Sequence, residues 1–194
     1  MAREAGEGLK HGTGAGHVSG VVILDQLRLS RELVGDDVVT RAFGMVSEEQ
    51  RAELDELLPV SWCKLTTAFA VHEAIAGQIR QDVKAWHRTI VRVGIERTLT
   101  TVWRLFMRFT STEALLKRAA SIYGKSYDRG SVHAAQLPEG GVEVVLTGWP
   151  DVPDFELEAM ATGLDVVLKL GGRKHTRITV ERRPGGARLD VRVR

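Results

Sequence analysis

The stretch SVHAAQLPEGGVEVVLTG, residues 131–148, decides the fold predicted for this chain. Apolar and polar residues alternate on both sides of PEGG, which is the pattern of two antiparallel strands joined by a turn. The sequence closes on a second stretch of this kind, TRITVERRPGGARLDVRVR (176–194). There, Ile178 and Val180 are expected to face Leu189, Val191 and Val193, with charged residues alternating outward.

A helical pattern separates the two predicted hairpins. In DFELEAMATGLDVVLKLGG (154–172), apolar residues recur at helical spacing and two glycines end the pattern. Asp154 is predicted to cap this helix, with further acids in its first turns. Two hairpins that flank a helix and share one buried face predict a four-stranded antiparallel sheet covered by helices, an α+β fold.

The N-terminal two-thirds of the chain is predicted to be helical and to pack on that sheet. A short extended segment followed by a helix is expected in 18–35, and a short helix in 36–46. SEEQ (47–50) has the form of a capping box. The longest helical pattern, 81–109, contains Gly94, which costs about 1 kcal/mol against alanine inside a helix. This glycine therefore predicts either a break or the close approach of another helix.

Residues 109–130, FTSTEALLKRAASIYGKSYDRG, combine hydroxyls, tyrosines and basic side chains, but a helix explains each of them. Thr110 and Glu113 have the spacing of a second capping box. Gly130 is predicted to supply the left-handed residue at the helix terminus. We therefore interpret this stretch as structural.

Composition sets limits on the class of protein. The chain has 194 residues and a formal net charge of +2, which gives no strong field toward nucleic acid or an anionic membrane. We expect one domain in 18–194, after a flexible arm in 1–17 that is poor in large apolar residues. Its GTGAG lacks the context of a phosphate-binding loop. Cys63 is the single cysteine, no apolar run reaches a membrane span, and we expect a cytoplasmic location.

Candidate sites are few. His72 falls on the apolar face of the predicted helix in 61–79, where a packed core histidine is commoner than a ligand. The histidines show no metal-ligand spacing, so no metal and no cofactor is predicted. Cys63 is interpreted as a buried structural thiol. One helix face carries Arg97, Arg104 and Arg108, which either bind an anionic partner or form a solvated face.

Aromatic residues suggest an apolar pocket between the helices and the sheet. Tryptophans at helical spacing are usually core residues, but they also line cavities for hydrophobic ligands. The pocket candidates are Trp62, Phe69, His72, Trp103 and Phe106. A ligand-binding role predicts a closed cavity of several hundred Å³, and a solid core would leave only a role in binding a partner protein.

From about Val18 to Val193 the chain resembles a myxobacterial paralogous domain family of unknown function. The resemblance is carried by LLPVSWCKLTTAFAVHEAIA (57–76), RLFMRFTSTEALLKRAASIYGKSYDRGSV (104–132) and VVLTGWPD (144–151), with Trp62, Gly130 and Trp149 as anchors. That family is similar in fold to vinyl-reductase-type and TRAPP-component domains, and more remotely to haem–nitric-oxide-binding domains. The resemblance implies helices against an antiparallel sheet, dimers formed through helices, and in several members an enclosed small hydrophobic ligand.

The chain also departs from those relatives. Its C-terminal hairpin has no cysteines, which removes a metal site of the vinyl-reductase type. YGKSYDRG (123–130) has the letters but not the spacing of the Tyr-x-Ser-x-Arg signature of the haem-binding relatives, so haem is not carried over. The resemblance implies a fold and a mode of action but no catalytic residues.

Three functions remain open from the sequence. The first is a non-enzymatic sensory or adaptor domain, expected as a homodimer, that binds a small hydrophobic ligand or a partner protein in bacterial signalling. The second is a purely structural dimerisation or scaffold module. The third is an enzyme, which requires ionisable groups with shifted pKa values converging in a cleft, and no spacing in the sequence predicts such a pair. Nucleic-acid binding through the arginine face is the least favoured.

Overall fold

The computed structural model describes residues 16–99, 107, 109–138 and 141–193. Its helices are α1 (Gly20–Val34), α2 (Asp36–Phe43), α3 (Glu48–Asp55), α4 (Leu65–Gln78), α5 (Val83–Thr98), α6 (Thr112–Ser126) and α7 (Asp154–Leu170). Its strands are β1 (His17–Ser19), β2 (Trp62–Lys64), β3 (Ser131–Gln136), β4 (Val142–Thr147), β5 (Thr176–Arg183) and β6 (Gly186–Val193).

The two hairpins predicted from the alternating patterns form one sheet, which confirms the α+β fold class. The sheet has four strands in the order β3–β4–β6–β5, and every neighbouring pair is antiparallel. The central pair β4–β6 joins the hairpins, with Val144 opposite Leu189. In the second hairpin Ile178 lies opposite Val191 and Val180 opposite Leu189. The register is the one that the period-two pattern predicts. Val180, however, is 42% exposed on the edge strand β5, so its predicted place on the buried face is wrong.

One face of the sheet is buried under α6 and α7. Leu116 of α6 and Leu168 of α7 are fully buried against the inward side chains of β4 and β6. We call this cluster the sheet core; its buried members are Leu116, Ala134, Val142, Val144, Leu164, Leu168, Leu189 and Val191. The opposite face carries charged side chains, where Arg188 forms ion pairs with Glu143 and Asp190 at 2.7 and 2.9 Å.

The helical layer forms a second core. α1, α2, α4 and α5 pack together, and α5 crosses to α7, which joins this layer to the sheet. Gly94 lies inside α5, which continues through it to Thr98, so the predicted break is wrong. A Cβ at this position would meet Leu29 Cδ2 of α1 at an ordinary contact distance of 3.9 Å, so the approach of α1 does not require glycine either.

Helix starts were predicted with mixed success. The capping box at Ser47–Gln50 is present, with both hydrogen bonds formed. The cap of α6 is Ser111, whose hydroxyl accepts from the Ala114 amide, so the box predicted from Thr110 is wrong by one residue. The predicted cap at Asp154 is also wrong, because Pro153 occupies the cap position. Asp154 instead accepts a hydrogen bond from the Arg182 guanidinium at 3.0 Å, which lowers the pKa of its carboxyl.

Three segments differ from the predicted helices. Trp62–Lys64 pairs with β1 as a strand instead of opening α4. α5 ends at Thr98, where Leu99 turns extended, so the predicted helix over 81–109 does not continue through that point. Gly130 has a φ of +71°, but it stands beyond the end of α6, and a Cβ there would lie 2.9 Å from the Thr147 carbonyl oxygen. It therefore serves the approach to β3 and not the helix end.

Candidate functional site

A small cavity lies where α1, α4, α5 and α7 meet the segment after α6. Its volume is about 30 Å³, far below the several hundred Å³ expected for a hydrophobic ligand. Its polar and aromatic lining residues form what we call the aromatic–polar centre: Gln26, Phe69, His72, His87, Tyr127, Phe155 and Glu156. The remaining lining residues are aliphatic: Val18, Ile23, Ala68, Val91 and Ala159.

Four of the five rings in the centre pack against one another. Phe69 of α4 stacks on Phe155 of α7 with ring centroids 4.5 Å apart. The His87 ring of α5 lies 5.8 Å from Phe155 and 5.3 Å from His72. Phe69, His87 and Phe155 are half-buried, whereas His72 is 2% exposed. The half-buried rings of Phe69, His87 and Phe155 thus lie nearer to solvent than His72. Their packing sets the size of the cavity.

His72 is a buried neutral imidazole with one unused nitrogen. Its Nε2 lies 2.9 Å from Oε1 of Gln26, while Nδ1 has no hydrogen-bond partner. Burial, with the neighbouring His87 as a smaller cause, lowers the pKa of His72 to about 3. Burial likewise lowers the pKa of His87 to about 4. Both rings are therefore uncharged at neutral pH.

Glu156 faces the same cavity from the first turn of α7. Its residue is 4% exposed, and the Tyr127 hydroxyl donates to its Oε2 at 2.6 Å. Burial raises the pKa of Glu156 to about 7, and the hydrogen bond from Tyr127 only partly offsets that effect. Burial beside this acid also holds the pKa of Tyr127 well above its ordinary value. The centre thus contains a carboxyl group that titrates near neutrality.

The structure brings together only part of the predicted pocket. Phe69 and His72 line the cavity, whereas Trp62 is 45% exposed and is not among the lining residues. Trp103 and Phe106 lie outside the described residues. Trp62 lies on β2, which pairs with β1 as a strand and therefore does not continue the face of α4.

Sequence reasoning missed most of the centre. Gln26, His87, Tyr127 and Phe155 had no predicted role in a site, and Glu156 was interpreted as an acid of the first turn of a helix. The only available signal was that Phe155 shares a helical face with Ala159, which the pattern already predicted to be buried. Its neighbour Glu156 turns inward too, because α7 is covered on more than one side.

Two other candidates have structural environments. Arg97 of α5 forms an ion pair with Glu32 of α1, while Arg104 and Arg108 lie outside the described residues. Cys63 is fully buried, and burial raises the pKa of its thiol to about 12. The interpretation of Cys63 as a buried thiol is therefore confirmed, since such a group is not a nucleophile at neutral pH.

The described part of the chain shows neither a cluster of metal ligands nor a membrane-spanning helix. There, no three His, Cys, Asp or Glu side chains are grouped so that they can hold a metal ion. None of the helices in that part of the chain combines the length and the apolar character that a bilayer span needs.

Comparison with known proteins identifies the fold. The sequence matches no family model, and no curated protein sequence is significantly similar to it. In three dimensions the chain is similar to the Fe(II) unliganded H-NOX protein from K. algicida, with a TM-score of 0.65 and 7% identity over 91% of this chain and 96% of that one. It is similar to an oxygen-binding H-NOX domain related to soluble guanylate cyclases, in its oxygen complex, with a TM-score of 0.62 and 14% identity over 91% and 94% of the chains.

A third solved structure, from work on the function of heme distortion in the H-NOX family, has a TM-score of 0.63 and 13% identity over 91% of this chain and 94% of that one. At such identities the likeness establishes the fold alone. The remote resemblance to haem–nitric-oxide-binding domains is thereby confirmed at the level of the fold, and this chain has the α+β fold of H-NOX domains.

Proposed function

We propose that this chain is a non-enzymatic sensory domain that binds a small molecule at the aromatic–polar centre and acts in bacterial signalling or regulation. The observation that carries the proposal is the unpartnered Nδ1 of His72, a residue that is 2% exposed and lines the cavity. Leaving a buried polar atom without a partner costs about 1–3 kcal/mol. A bound molecule at this point removes that cost.

The unpartnered Nδ1 of His72 differs from the other buried atoms without a partner because its residue lines the cavity. In the described part of the chain, the other buried side-chain atoms without a partner are Trp86 Nε1, Trp149 Nε1 and Glu158 Oε2. None of these three residues lines the cavity. The centre therefore combines a buried ring nitrogen that has no partner with a small cavity lined by the same residue.

The fold supports a sensory role. One of the similar structures is described as an oxygen-binding H-NOX domain related to soluble guanylate cyclases, so the same fold holds a small molecule in that protein. A sensory domain responds to its ligand only if binding changes the free energy of the protein. A ligand that satisfies the unpartnered nitrogen of His72 makes such a change. The finer likeness to the myxobacterial, vinyl-reductase-type and TRAPP-component domains remains part of the proposal.

The absence of catalysis is also part of the proposal. Ionisable groups with shifted pKa values do converge, contrary to what the spacing in the sequence indicated, since His72, His87 and Glu156 share one cavity. General acid–base catalysis needs reacting atoms within hydrogen-bond reach of such groups. A cavity of about 30 Å³ leaves no room for a substrate larger than a few atoms. The geometry supports binding over turnover.

Native mass spectrometry of the chain purified from its own host tests the proposal. We expect a retained small mass in the wild type and its loss in His72→Leu, which removes both ring nitrogens at similar volume. His133→Leu is the matched control, because His133 lies exposed on β3. A wild-type chain without additional mass, and with no ligand-induced change in Tm, contradicts the ligand-binding role.

A second candidate function, the binding of a partner protein as a dimer or adaptor, is favoured by an exposed apolar patch. The Gly20 amide donates to the Ser61 carbonyl at 2.7 Å, which places the start of α1 beside the loop before β2. The patch consists of Val21, Leu58, Val60 and Trp62, which are 54, 59, 89 and 45% exposed. We propose that a second copy of this chain covers it, and light scattering at micromolar concentration tests for the homodimer.

The domain boundaries and the location remain proposals as well. We propose that residues 18–194 form one domain behind an arm in 1–17. β1 begins at His17, and the His17 ring contacts Asp128 at 2.7 Å, so the ordered part begins at least one residue before that boundary. A cytoplasmic location remains a proposal that rests on the single, buried cysteine.

A further inference from the structure

We infer that the ligand of the aromatic–polar centre is a small neutral molecule that both donates and accepts hydrogen bonds, and that haem does not fit this centre. The inference rests on the proposed function, because it names the ligand class of the same site. It is carried by the size of the cavity, the chemistry of its lining and the unpartnered nitrogen of His72.

Size is the first limit. A cavity needs roughly 10–15 Å³ of water-accessible space to hold one water, so a cavity of about 30 Å³ holds one or two waters or another molecule of a few atoms. Cofactor-sized ligands need a pocket of roughly 300 Å³ or more. A porphyrin would have to displace the stacked Phe69 and Phe155 rings, whose centroids are 4.5 Å apart, together with the histidine rings packed beside them.

The donor set for iron gives the same answer. His72 and His87 are the histidines that line the cavity. The Nε2 of His72 already forms a hydrogen bond with Gln26, so it is not free to bind iron. Its Nδ1 has no partner, but the cavity that His72 lines is too small for a porphyrin. The residues present therefore do not fit haem, although the fold is shared with H-NOX structures.

Charge is the second limit. The described residues that line the cavity include no lysine or arginine, so a bound anion has no cation to compensate it. His72 and His87 are neutral, since burial holds their pKa values at about 3 and 4. Moving an unpaired anion into such a place is costly, because its hydration is lost without replacement. A cation would need Glu156 to be ionised, and burial raises the pKa of that carboxyl to about 7. A neutral ligand avoids both costs.

Hydrogen bonding is the third limit. With the Gln26 amide oxygen as acceptor, Nε2 of His72 carries the proton and Nδ1 is left as an acceptor. Glu156 accepts from the Tyr127 hydroxyl, and in its protonated form it also has one O–H to donate. A ligand that donates to the histidine and accepts from the carboxyl uses both groups. Water, or a molecule of similar size with one donor and one acceptor, meets all three limits.

A hemin titration of the purified full-length chain, followed by the Soret band, tests the exclusion of haem. We expect the spectrum to remain that of free hemin at micromolar concentrations. A saturable one-to-one shift of the Soret band overturns the inference, while the proposed sensory function then stands with haem as the ligand. Conversely, a chain that retains no small molecule sinks the proposed function whatever hemin does.

An enlarged centre tests the preference for hydrogen-bonding ligands. Phe155→Ala opens a ring-sized space, and imidazole at about pH 8 is a mostly neutral ring whose N–H can donate to Nδ1 of His72. At this pH Glu156, with a pKa of about 7, is mostly ionised and only accepts, so the experiment tests the hydrogen bond to His72. We expect imidazole at a few times its Kd to raise the Tm of this variant by about 2–4 °C, and to leave the wild type unchanged. Phe109→Ala is the matched control, because Phe109 is 85% exposed.

Benzene, which has a ring of similar size without hydrogen-bonding groups, is the comparison ligand. We expect a smaller shift in Tm from benzene than from imidazole, and we expect His72→Leu added to Phe155→Ala to abolish the difference. Benzene as effective as imidazole, or imidazole equally effective on the wild type, contradicts the inference. Phe155→Leu, which opens less space, replaces the alanine variant if that variant does not fold.

Discussion

The sheet core and the aromatic–polar centre lie on either side of α7, and they are built in opposite ways. The sheet core is formed by aliphatic side chains, and Leu168 and Leu189 in it are completely buried. The centre brings His72, Tyr127 and Glu156 together beside α7 around a small cavity. The Nδ1 of His72 has no hydrogen-bond partner there. The sheet core therefore buries only apolar side chains, whereas the aromatic–polar centre buries a polar atom that has no hydrogen-bond partner.

This difference separates stability from function within one domain. Aliphatic packing gives stability in proportion to the surface removed from water and has little dependence on pH. Buried polar groups stabilise a fold only when every partner is present, and they respond to protons and to ligands. We therefore expect substitutions in the sheet core to change stability alone, and substitutions in the centre to change its dependence on pH or ligand.

The largest effect is expected in the sheet core. Leu189→Ala should lower the free energy of unfolding by about 2–5 kcal/mol, because it leaves a cavity among fully buried neighbours. The same truncation at Leu33, which is 42% exposed, should cost less than about 1 kcal/mol. Chemical denaturation measures both values. Equal losses at the two positions would show that β6 is not the closed, dry interior described here.

The aromatic–polar centre should make the stability of the fold depend on pH. The pKa of Glu156 is raised from 4.5 to about 7, so the folded chain keeps a proton that the unfolded chain has lost between these values. This carboxyl therefore contributes stability below about pH 4.5 that is lost as pH rises toward 7. Glu156→Gln cannot ionise, yet it keeps an oxygen to accept from Tyr127. The stability of the variant relative to wild type should rise by about 1–3 kcal/mol across that window.

Denaturation at several pH values measures this difference. His72 and His87 act in the opposite direction, because their lowered pKa values favour the fold above pH 6.5 and that stability is lost as pH falls. They are present in both chains, so their contribution cancels in the comparison. Glu181→Gln on β5 is the matched control, with a side chain 58% exposed. A difference that stays flat for both variants would place Glu156 in water.

A smaller, stabilising effect is expected where the helical layer encloses the centre. Gly94→Ala should raise the free energy of unfolding by up to about 1 kcal/mol, because alanine favours the helix and its Cβ makes an ordinary 3.9 Å contact with Leu29. Gly130→Ala should destabilise, because its φ is +71° and its Cβ would lie 2.9 Å from the Thr147 carbonyl oxygen. Thermal unfolding distinguishes the signs. Destabilisation at Gly94 would mean that α1 and α5 are packed too tightly for a methyl group.

The smallest effect on stability is expected at the apolar patch. Val60→Ser should change the free energy of unfolding by no more than about 0.5 kcal/mol, since Val60 is 89% exposed. Its effect should appear in self-association instead, as a weaker dimer in sedimentation or light scattering. A variant that associates as tightly as the wild type would exclude this patch from the proposed dimer contact.

The sequence was informative wherever a residue's role follows from its near neighbours along the chain. The hairpins follow from alternation, and Ile178 opposite Val191 is the register that such a pattern predicts. The cap at Ser47 follows from a four-residue motif. Phe69 and His72 could be assigned to one face of α4 because they recur at helical spacing with core residues such as Leu65 and Ile75. Each of these is a local periodicity with one physical solution.

The rest of the site depends on contacts between distant segments. Glu156 resembles any acid in a first helical turn. Its burial arises from the packing of other elements around α7, and its partner Tyr127 comes 29 residues earlier in the chain. Trp62 had the composition of a pocket residue, yet its pairing with Ser19 in β1 moved it to the surface. His87 meets His72 only because α4 and α5 pack together. Tertiary packing decided these positions, and no local pattern encodes it.

Tyr127 joins two parts of the molecule that are remote in sequence. Its hydroxyl donates to Glu156 at the centre, while its backbone bridges Val18 in β1. The next residue, Asp128, accepts from both the amide and the ring of His17. We therefore expect a proton or ligand that moves the carboxyl of Glu156 to act, through one aromatic side chain, on β1, the first strand of the domain. Occupancy of the interior would then be felt at the amino-terminal edge of the fold.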